Sequence, residues 1–201
     1  AGYCLNSYGF PLVICIVLAV IIGLIFGAFN GWLVAYQSVP AFIVSMASMN
    51  IAKGIAAVFT KTQSQSWPLS TDPVNGWFRN LISYKGFPVG LVVFLLVAAL
   101  CSCILYNTKA GRYILCLGSN REAVRLSGVD IKRWEMLAYV ICGLLVGLAS
   151  VYFVACYTTV QPGYGDQYNN EAIAGCVMGG TSMVGGLASI LGTVIGVSII
   201  S

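Results

Sequence analysis

The sequence predicts an all-α, polytopic membrane protein built as a bundle of transmembrane helices. The 201 residues are 59% hydrophobic and only 8% charged, with a mean hydropathy of +0.89. An ordinary soluble domain carries roughly a quarter charged residues. Several apolar stretches also exceed the roughly 18 residues that mark a candidate membrane span. Short polar gaps separate these stretches, so we expect one transmembrane domain over residues 1–201 that crosses the bilayer repeatedly.

Four spans and one interrupted helix pair are expected in chain order. The predicted spans lie near residues 10–36, 41–59, 87–106 and 136–157, and the broken pair near 172–200. The pair is interrupted by glycines. The sequence does not begin with Met and stops inside an apolar run. We therefore expect a fragment that is truncated at both ends.

The distribution of positive charge predicts the orientation, because cytoplasmic loops close to membrane spans carry an excess of Lys and Arg. Six of the ten basic residues lie in residues 107–135, namely Lys109, Arg112, Arg121, Arg125, Lys132 and Arg133. We predict that this loop is cytoplasmic. By alternation, residues 60–86 and 158–170 then lie on the opposite, periplasmic or extracellular side.

Glycines at helical spacing indicate that the spans pack closely. Gly23, Gly27 and Gly31 recur every fourth residue, and similar sets occur at Gly143 and Gly147, at Gly175 and Gly179, and at Ala188, Gly192 and Gly196. In lipid, such small residues let helix backbones approach each other. The spacing does not distinguish a contact within the chain from a contact with a second subunit.

The composition argues against catalysis, cofactors and metal binding. There is no histidine, and the eight cysteines include no Cys-x-x-Cys pair, so neither a nucleophile with its base nor a metal-ligand set can be assembled. No Asp or Glu lies within a predicted span, which argues against a proton relay. The basic residues lie between spans and form no exposed stripe, so nucleic acid is not an expected partner.

A short helix is predicted inside the basic loop. Ser119 with Glu122 three residues later has the form of a capping box, and Gly128 suits a left-handed helix stop. Helices below about 12 residues need further contacts to persist, so we expect this one to dock onto a partner. A helix lying on anionic lipid is the alternative. The segment comprises Asn120, Arg121, Glu122, Ala123, Val124, Arg125, Leu126 and Ser127, with the two arginines on one side and Ala123, Val124 and Leu126 forming a small apolar surface.

A glycine-rich stretch, GGTSMVGG, fills residues 179–186. It lacks the Gly-Lys-Ser/Thr ending of a phosphate loop, so this route to nucleotide binding is not expected. Broken helices at membrane depth occur where they line a cavity or are buried in protein. Gly179, Gly180, Thr181 and Ser182 are therefore candidates for a helix break near a translocation pathway, with a plain tight turn as the alternative.

Three polar residues inside predicted spans are also candidates for the pathway. Asn30, Ser48 and Asn50 lie in otherwise apolar stretches. Polar groups at membrane depth are costly and usually face the bundle interior or a water-filled cavity.

Three strings resemble those of a known family. They are GRYILCLGSNREAVRLSGV at 111–129, EAIAGCVMGGTSMVGG at 171–186 followed by GTVIG at 192–196, and NGWLVA at 30–35 with VPAFIV at 39–44. In order and spacing they are similar to the permease subunit of bacterial ABC importers of the ribose and galactoside type. Two features depart from that pattern: the family's earlier acidic glycine-rich motif is not present, and Leu187 and Ala188 replace its more usual polar residue and glycine.

The resemblance implies an expected architecture and set of partners. The fold would be similar to the ten-helix class of importer permeases in the bacterial inner membrane. A second permease subunit, cytoplasmic ATP-binding subunits and a periplasmic sugar-binding protein would be the partners. Residues 120–127 resemble the coupling helix that sits in a groove of the ATPase. The chain itself would be no enzyme; it would conduct a monosaccharide such as ribose or galactose.

Two other functions stay open at the level of sequence: an ion-coupled secondary transporter, and a receptor or scaffold in the membrane. An ion-coupled transporter normally has carboxylates within its spans. A receptor would not need a short docking helix, although it could contain one. The short helix and the lack of acidic residues in the spans favour the importer.

Overall fold

The computed structural model describes residues 2, 3, 5, 11–67, 78, 83–84, 87–157, 159–183 and 185–200, and this part of the chain is mainly helical. Its helices are α1 (Leu12–Gln37), α2 (Ala41–Thr60), α3 (Val89–Asn107), α4 (Lys109–Ser119), α5 (Arg121–Leu126), α6 (Ile131–Cys156), α7 (Asp166–Met178) and α8 (Ile190–Ile200). By length and composition, α1, α2, α3 and α6 can each cross a membrane. The predicted all-α, polytopic fold is confirmed.

Four strands of two residues each accompany the helices in the described residues. They are β1 (Gln65–Ser66), β2 (Ser83–Tyr84), β3 (Phe87–Pro88) and β4 (Thr159–Val160). β1 pairs antiparallel with β4, and β2 with β3. Much of the predicted 60–86 loop lies outside the described residues.

The chain divides into two compact units. The first contains Ala1–Val92 and Met136–Tyr164, and the second contains Val93–Glu135 and Gly165–Ser201. The single domain over residues 1–201 stays a prediction.

In the first unit, α1 packs against α6 through glycines. A Cβ atom added to Gly23 would lie 2.6 Å from the carbonyl oxygen of Gly143, and one added to Gly27 would lie 2.7 Å from that of Tyr139. Further along α1, a Cβ at Gly31 would lie 3.2 Å from the carbonyl oxygen of Met136. Residue numbers that increase along α1 face residue numbers that decrease along α6, so the two helices are antiparallel. Of the two alternatives that the glycine spacing left open, this seam is a contact within the chain.

A tight turn joins α1 to α2. Ser38 takes a left-handed conformation (φ 56°) and ends α1. Pro40, with φ fixed near the helical value, precedes α2 and accepts hydrogen bonds from the amides of Ile43 and Val44. Because Gly31 faces Met136, this turn lies at the same end of the first unit as the start of α6's apolar part.

The opposite end of the first unit holds its buried core. Leu12, Cys15, Trp67, Phe78 and Ala155 form one buried cluster, in which the rings of Trp67 and Phe78 stack at 5.9 Å. The pairing of Ser66 with Thr159 holds the segments that follow α2 and α6 side by side. The charge-based threading is compatible with this pairing, because it predicts both segments on the same side of the membrane.

In the second unit, α7 and α8 form a glycine-packed hairpin. A Cβ on Gly175 would lie 3.0 Å from the Cα of Val197, and one on Gly179 would lie 2.5 Å from the carbonyl carbon of Gly192. The helices therefore run antiparallel with their backbones in contact. This hairpin occupies the position of the broken helix pair that the sequence predicts near residues 172–200.

Three helix boundaries differ from those predicted, and each difference involves polar residues. α4 lies within the predicted 107–135 loop, α6 begins five residues before the predicted span, and α7 begins at Asp166 inside the predicted 158–170 loop. The search for apolar spans overlooks such segments because their first turns are hydrophilic. An acidic residue in the first turn, such as Asp166, interacts favourably with the helix dipole.

Candidate functional site

Asn120 joins α4 to α5. Its backbone amide donates to the carbonyl of Cys116 at 2.9 Å and closes α4, while its side-chain Oδ1 accepts from the amide of Ala123 at 3.1 Å and caps α5. The capping box predicted at Ser119 is therefore wrong. Ser119 has helical backbone geometry as the last residue of α4, whereas a capping residue must be extended, as Asn120 is with φ −151°.

The other end of α5 is closed as the sequence predicts. Gly128 has a φ of +75°, a left-handed conformation that favours glycine. The hydroxyl of Ser127 donates to the carbonyl of Val124 at 2.8 Å. The helix has six residues, Arg121–Leu126, between these two ends.

The arginines of α5 have different partners. Arg121 forms an ion pair with Glu135 near the start of α6, whereas Arg125 approaches Glu122 of its own helix at 3.6 Å. The side chains of Arg125 and Glu122 are both more than two-thirds exposed. Exposed pairs of this kind contribute little to stability. Arg121 therefore links α5 to the rest of its unit, while Arg125 and Glu122 are available at the surface.

The apolar residues of α5 are divided in the same way. Val124 is 7% exposed, and Leu126 is 85% exposed. The predicted apolar surface of Ala123, Val124 and Leu126 is thus not one patch. Val124 anchors the helix to the protein, and Leu126 lies at the surface.

The glycine-rich stretch forms an ordered turn between α7 and α8. Gly180, Gly185 and Gly186 have φ values of 83°, 97° and 82°. The hydroxyls of Thr181 and Thr193 are hydrogen-bonded at 3.2 Å, which ties the turn to α8. The helices are interrupted at residues 179–182 by this turn, and its place near a translocation pathway stays a prediction.

This turn lies directly against the end of α4. A Cβ on Gly185 would lie 2.9 Å from the Cα of Gly118, and one on Gly186 would lie 3.0 Å from the Cα of Ser119. A Cβ on Gly118 would collide with the backbone nitrogen of Gly186. The hydroxyl of Tyr106 donates to the carbonyl of Ala188 at 2.9 Å and ties α3 to the same turn. The sequence indicated both segments but gave no signal that they touch.

The first unit contains a cavity of about 400 Å³ between α1, α2 and α6. Asn30 and Ser48 both line it, whereas Asn50 is exposed and does not. Ser48 is 6% exposed, and Asn30 Oδ1 is buried without a hydrogen-bond partner in the described part of the chain. Of the three polar residues predicted from the spans, two are thus brought together.

Comparison with protein families gives one match that covers residues 1–201. The family is described as branched-chain amino acid transport system / permease component. No solved structure matches the chain significantly.

Curated relatives are similar over almost the whole chain. The ribose import permease protein RbsC of Escherichia coli (strain K12) is 34% identical, covering 93% of this chain and 58% of the relative. RbsC of Haemophilus influenzae is 32% identical, covering 96% of this chain and 60% of the relative. The xylose transport system permease protein XylH of Escherichia coli (strain K12) is 28% identical, covering 100% of this chain and 66% of the relative. The chain thus spans about six-tenths of the length of the ribose permeases.

Proposed function

This chain belongs to the family described as branched-chain amino acid transport system / permease component, and we infer that it is the membrane-spanning subunit of an ATP-driven sugar importer. Its transported solute is a monosaccharide. This inference depends above all on its similarity to permeases named for ribose and xylose, which extends over at least 93% of the chain.

In this proposal α5 and its flanking residues, Asn120 to Ser127, dock into a cytoplasmic ATP-binding subunit. The support is the division of the helix into an anchored part and an exposed part. Val124 is buried and Arg121 is paired with Glu135, while Leu126 and the Glu122–Arg125 pair are exposed. A six-residue helix is too short to persist alone, and a partner that covers its exposed side would stabilise it.

Movement of α5 would pass first to α4 and then to the turn between α7 and α8. Asn120 belongs to the hydrogen bonding of both α4 and α5. The end of α4 meets Gly185 and Gly186 by backbone contact, without an intervening side chain that could absorb the displacement. ATP-driven closure of the motor subunits would thereby reach α7 and α8, and the bundle would open towards one side.

The other partners follow from the same proposal. A second permease subunit completes the pathway, and a sugar-binding protein delivers the solute from the periplasmic side. Residues 107–135 lie on the cytoplasmic side of the bacterial inner membrane. Residues 60–86 and 158–170 lie on the periplasmic side and face the binding protein. ATP hydrolysis takes place in the partner subunit.

The experiment uses the complete permease, reconstituted with its ATP-binding subunits and binding protein. The double variant Glu122→Ala with Arg125→Ala should lower sugar-stimulated ATP turnover by about tenfold, since it removes exposed charges worth about 1.4 kcal/mol of docking. The matched control is Asp130→Ala with Arg133→Ala, a second exposed pair in the same loop at 2.8 Å.

Equal turnover in the α5 variant and in the wild type would contradict the docking role. Comparing the uptake of ribose, xylose and a branched-chain amino acid by the wild-type complex shows which class of solute is transported. Uptake of the amino acid alone would contradict the assignment to sugars.

A further inference from the structure

The cavity of the first unit contains a buried polar atom for which the described residues supply no hydrogen-bond partner. Asn30 Oδ1 is fully buried and accepts no hydrogen bond from the described residues. Asn30 lies seven residues before the end of α1, roughly 10 Å along the helix axis. An unsatisfied buried acceptor is costly, and few occur in folded proteins. A donor from outside the described residues, such as a ligand hydroxyl, would satisfy it.

The serines of the same cavity add acceptors. Ser48 donates its hydroxyl proton to the carbonyl of Ser45 at 3.0 Å, Ser45 donates to Phe42 at 2.9 Å, and Ser150 donates to Gly147 at 2.7 Å. A hydroxyl group has one proton and two lone pairs. Once the proton is bound to the helix, the oxygen can offer the cavity only its lone pairs.

The lining therefore favours a neutral ligand that carries several hydroxyl donors. Among the described residues that line the cavity, none is charged. A carboxylate or phosphate would meet the serine oxygens without a compensating cation, and burial of an unpaired charge is very costly. A hydroxyl group can donate to these oxygens and can also accept from the amide nitrogen of Asn30. The volume of about 400 Å³ falls within the range of about 300–1,000 Å³ for small-molecule sites. Phe26 and Val146 supply apolar surface for the C–H faces of a sugar ring.

We propose that this cavity is a binding station for the sugar during transport, with Asn30 Oδ1 accepting a hydrogen bond from a sugar hydroxyl and Ser48 providing a second acceptor. The inference rests on the proposed function and adds the residues that contact the solute. It also explains why a polar side chain lies at this depth in an apolar helix. Asn50, although also polar and within α2, has no part in the station.

The test replaces Asn30 in the complete importer, reconstituted with its ATP-binding subunits and binding protein. Asn30→Leu keeps the branching of the side chain at Cγ and removes the acceptor together with the amide donor. Loss of one hydrogen bond should lower kcat/KM for ribose or xylose uptake about tenfold, and Ser48→Ala should give a smaller loss. Asn50→Leu is the matched control and should transport like the wild type. The melting temperature of Asn30→Leu should equal or exceed that of the wild type, because the unsatisfied acceptor is gone.

A second measurement does not depend on transport. Cys142 lines the same cavity, so a chain in which the other seven of the eight cysteines are serine carries one reporter thiol. Ribose or xylose at saturating concentration should slow the labelling of Cys142 by a small methanethiosulfonate at least threefold. The same sugar should give no protection when Asn30→Leu is added.

Three results would overturn the inference. One is unchanged kcat/KM in Asn30→Leu while the wild type transports sugar. Another is labelling of Cys142 that sugar does not slow. The third is uptake that requires sodium ions, which would assign the oxygen-rich lining to a cation. If the wild-type complex moves no sugar at all, the proposed function fails, and this inference fails with it.

Discussion

At Gly118 the neighbouring backbone leaves room for a hydrogen atom only. A Cβ there would collide with the nitrogen of Gly186 and lie 2.9 Å from the carbonyl carbon of Gly185. Both neighbours are backbone atoms, which cannot turn away as a flexible side chain can. We expect Gly118→Ala to lower the free energy of unfolding by about 1–3 kcal/mol, the range for overpacked sites. Thermal unfolding of the purified full-length permease in detergent measures the effect.

Gly54 provides the control for this prediction. It lies in the middle of α2, and a Cβ there would meet no atom within 4 Å. Gly54→Ala should stabilise the permease by up to about 1 kcal/mol, the difference in helix propensity between the two residues. If both variants unfolded at the same temperature, the contact between α4 and the turn would be refuted.

Among elements, α5 depends most on a single residue. Asn120 is the residue whose side chain caps this helix, by the hydrogen bond from the amide of Ala123. Loss of a cap costs about 1 kcal/mol, or about fivefold in an equilibrium constant. Asn120→Ala should therefore speed hydrogen exchange at the Ala123 amide about fivefold and weaken sugar-stimulated ATP turnover.

The variant Ser119→Ala distinguishes the helix cap seen in the structure from the cap predicted by the sequence pattern. The pattern assigns the cap to Ser119, but the structure places this residue in the last turn of α4. Its replacement should leave exchange at Ala123 unchanged. Faster exchange in Ser119→Ala than in Asn120→Ala would support the original capping box.

The elements themselves were predictable to different degrees. α1, α2 and α3 follow from long apolar runs, because burial in lipid requires such runs. A short helix over residues 120–127 was predicted from Gly128 and from the Ser119–Glu122 pattern, and the structure has α5 there although Asn120 is its cap. α4 was missed, since Lys109 and Arg112 interrupt its apolar residues, and the polar start of α7 resembled a loop. The adjacent Ser119 and Asn120 are both good capping residues, so only backbone geometry distinguishes them.

The topology of the whole molecule is predicted from charge, and in the first unit the antiparallel seam and the β1–β4 pairing show which helix ends lie together. In a cysteine-free background, Thr159→Cys should react with a membrane-impermeant maleimide added outside intact cells, and Lys132→Cys should react only after the cells are opened. Both positions are exposed. Positive charge sets the expected orientation. Labelling of Lys132→Cys in intact cells would show that the topology is the reverse of the predicted one.

The pairing of Ser66 with Thr159 can be tested in the same background. Paired strand residues lie within the distance that a disulfide can bridge. Ser66→Cys with Thr159→Cys should form a disulfide on mild oxidation, detected by faster migration on a non-reducing gel. Ser66→Cys with Lys132→Cys should not form one, because the two positions are predicted on opposite sides.

Hydropathy was sufficient to predict the membrane class, because every segment that crosses the bilayer must be apolar. The sides of the loops, inferred from charge, stay a prediction. Hydropathy and charge could not predict which helices touch. The cavity combines Asn30 and Ser48 with Cys142, and the α4 contact combines Gly118 with Gly186. Such combinations depend on pairing between segments that are distant in the sequence.

The glycine seam of the first unit limits how its cavity can open. Backbones in contact cannot slide along each other without collision, so α1 and α6 should travel as one rigid body. The third wall, α2, has no such restraint at Gly54. Both ends of α2 are tied to this pair of helices, by the turn at residues 38–40 and by the β1–β4 pairing. Admission and release of a solute would then require the middle of α2 to bend away from α1 and α6.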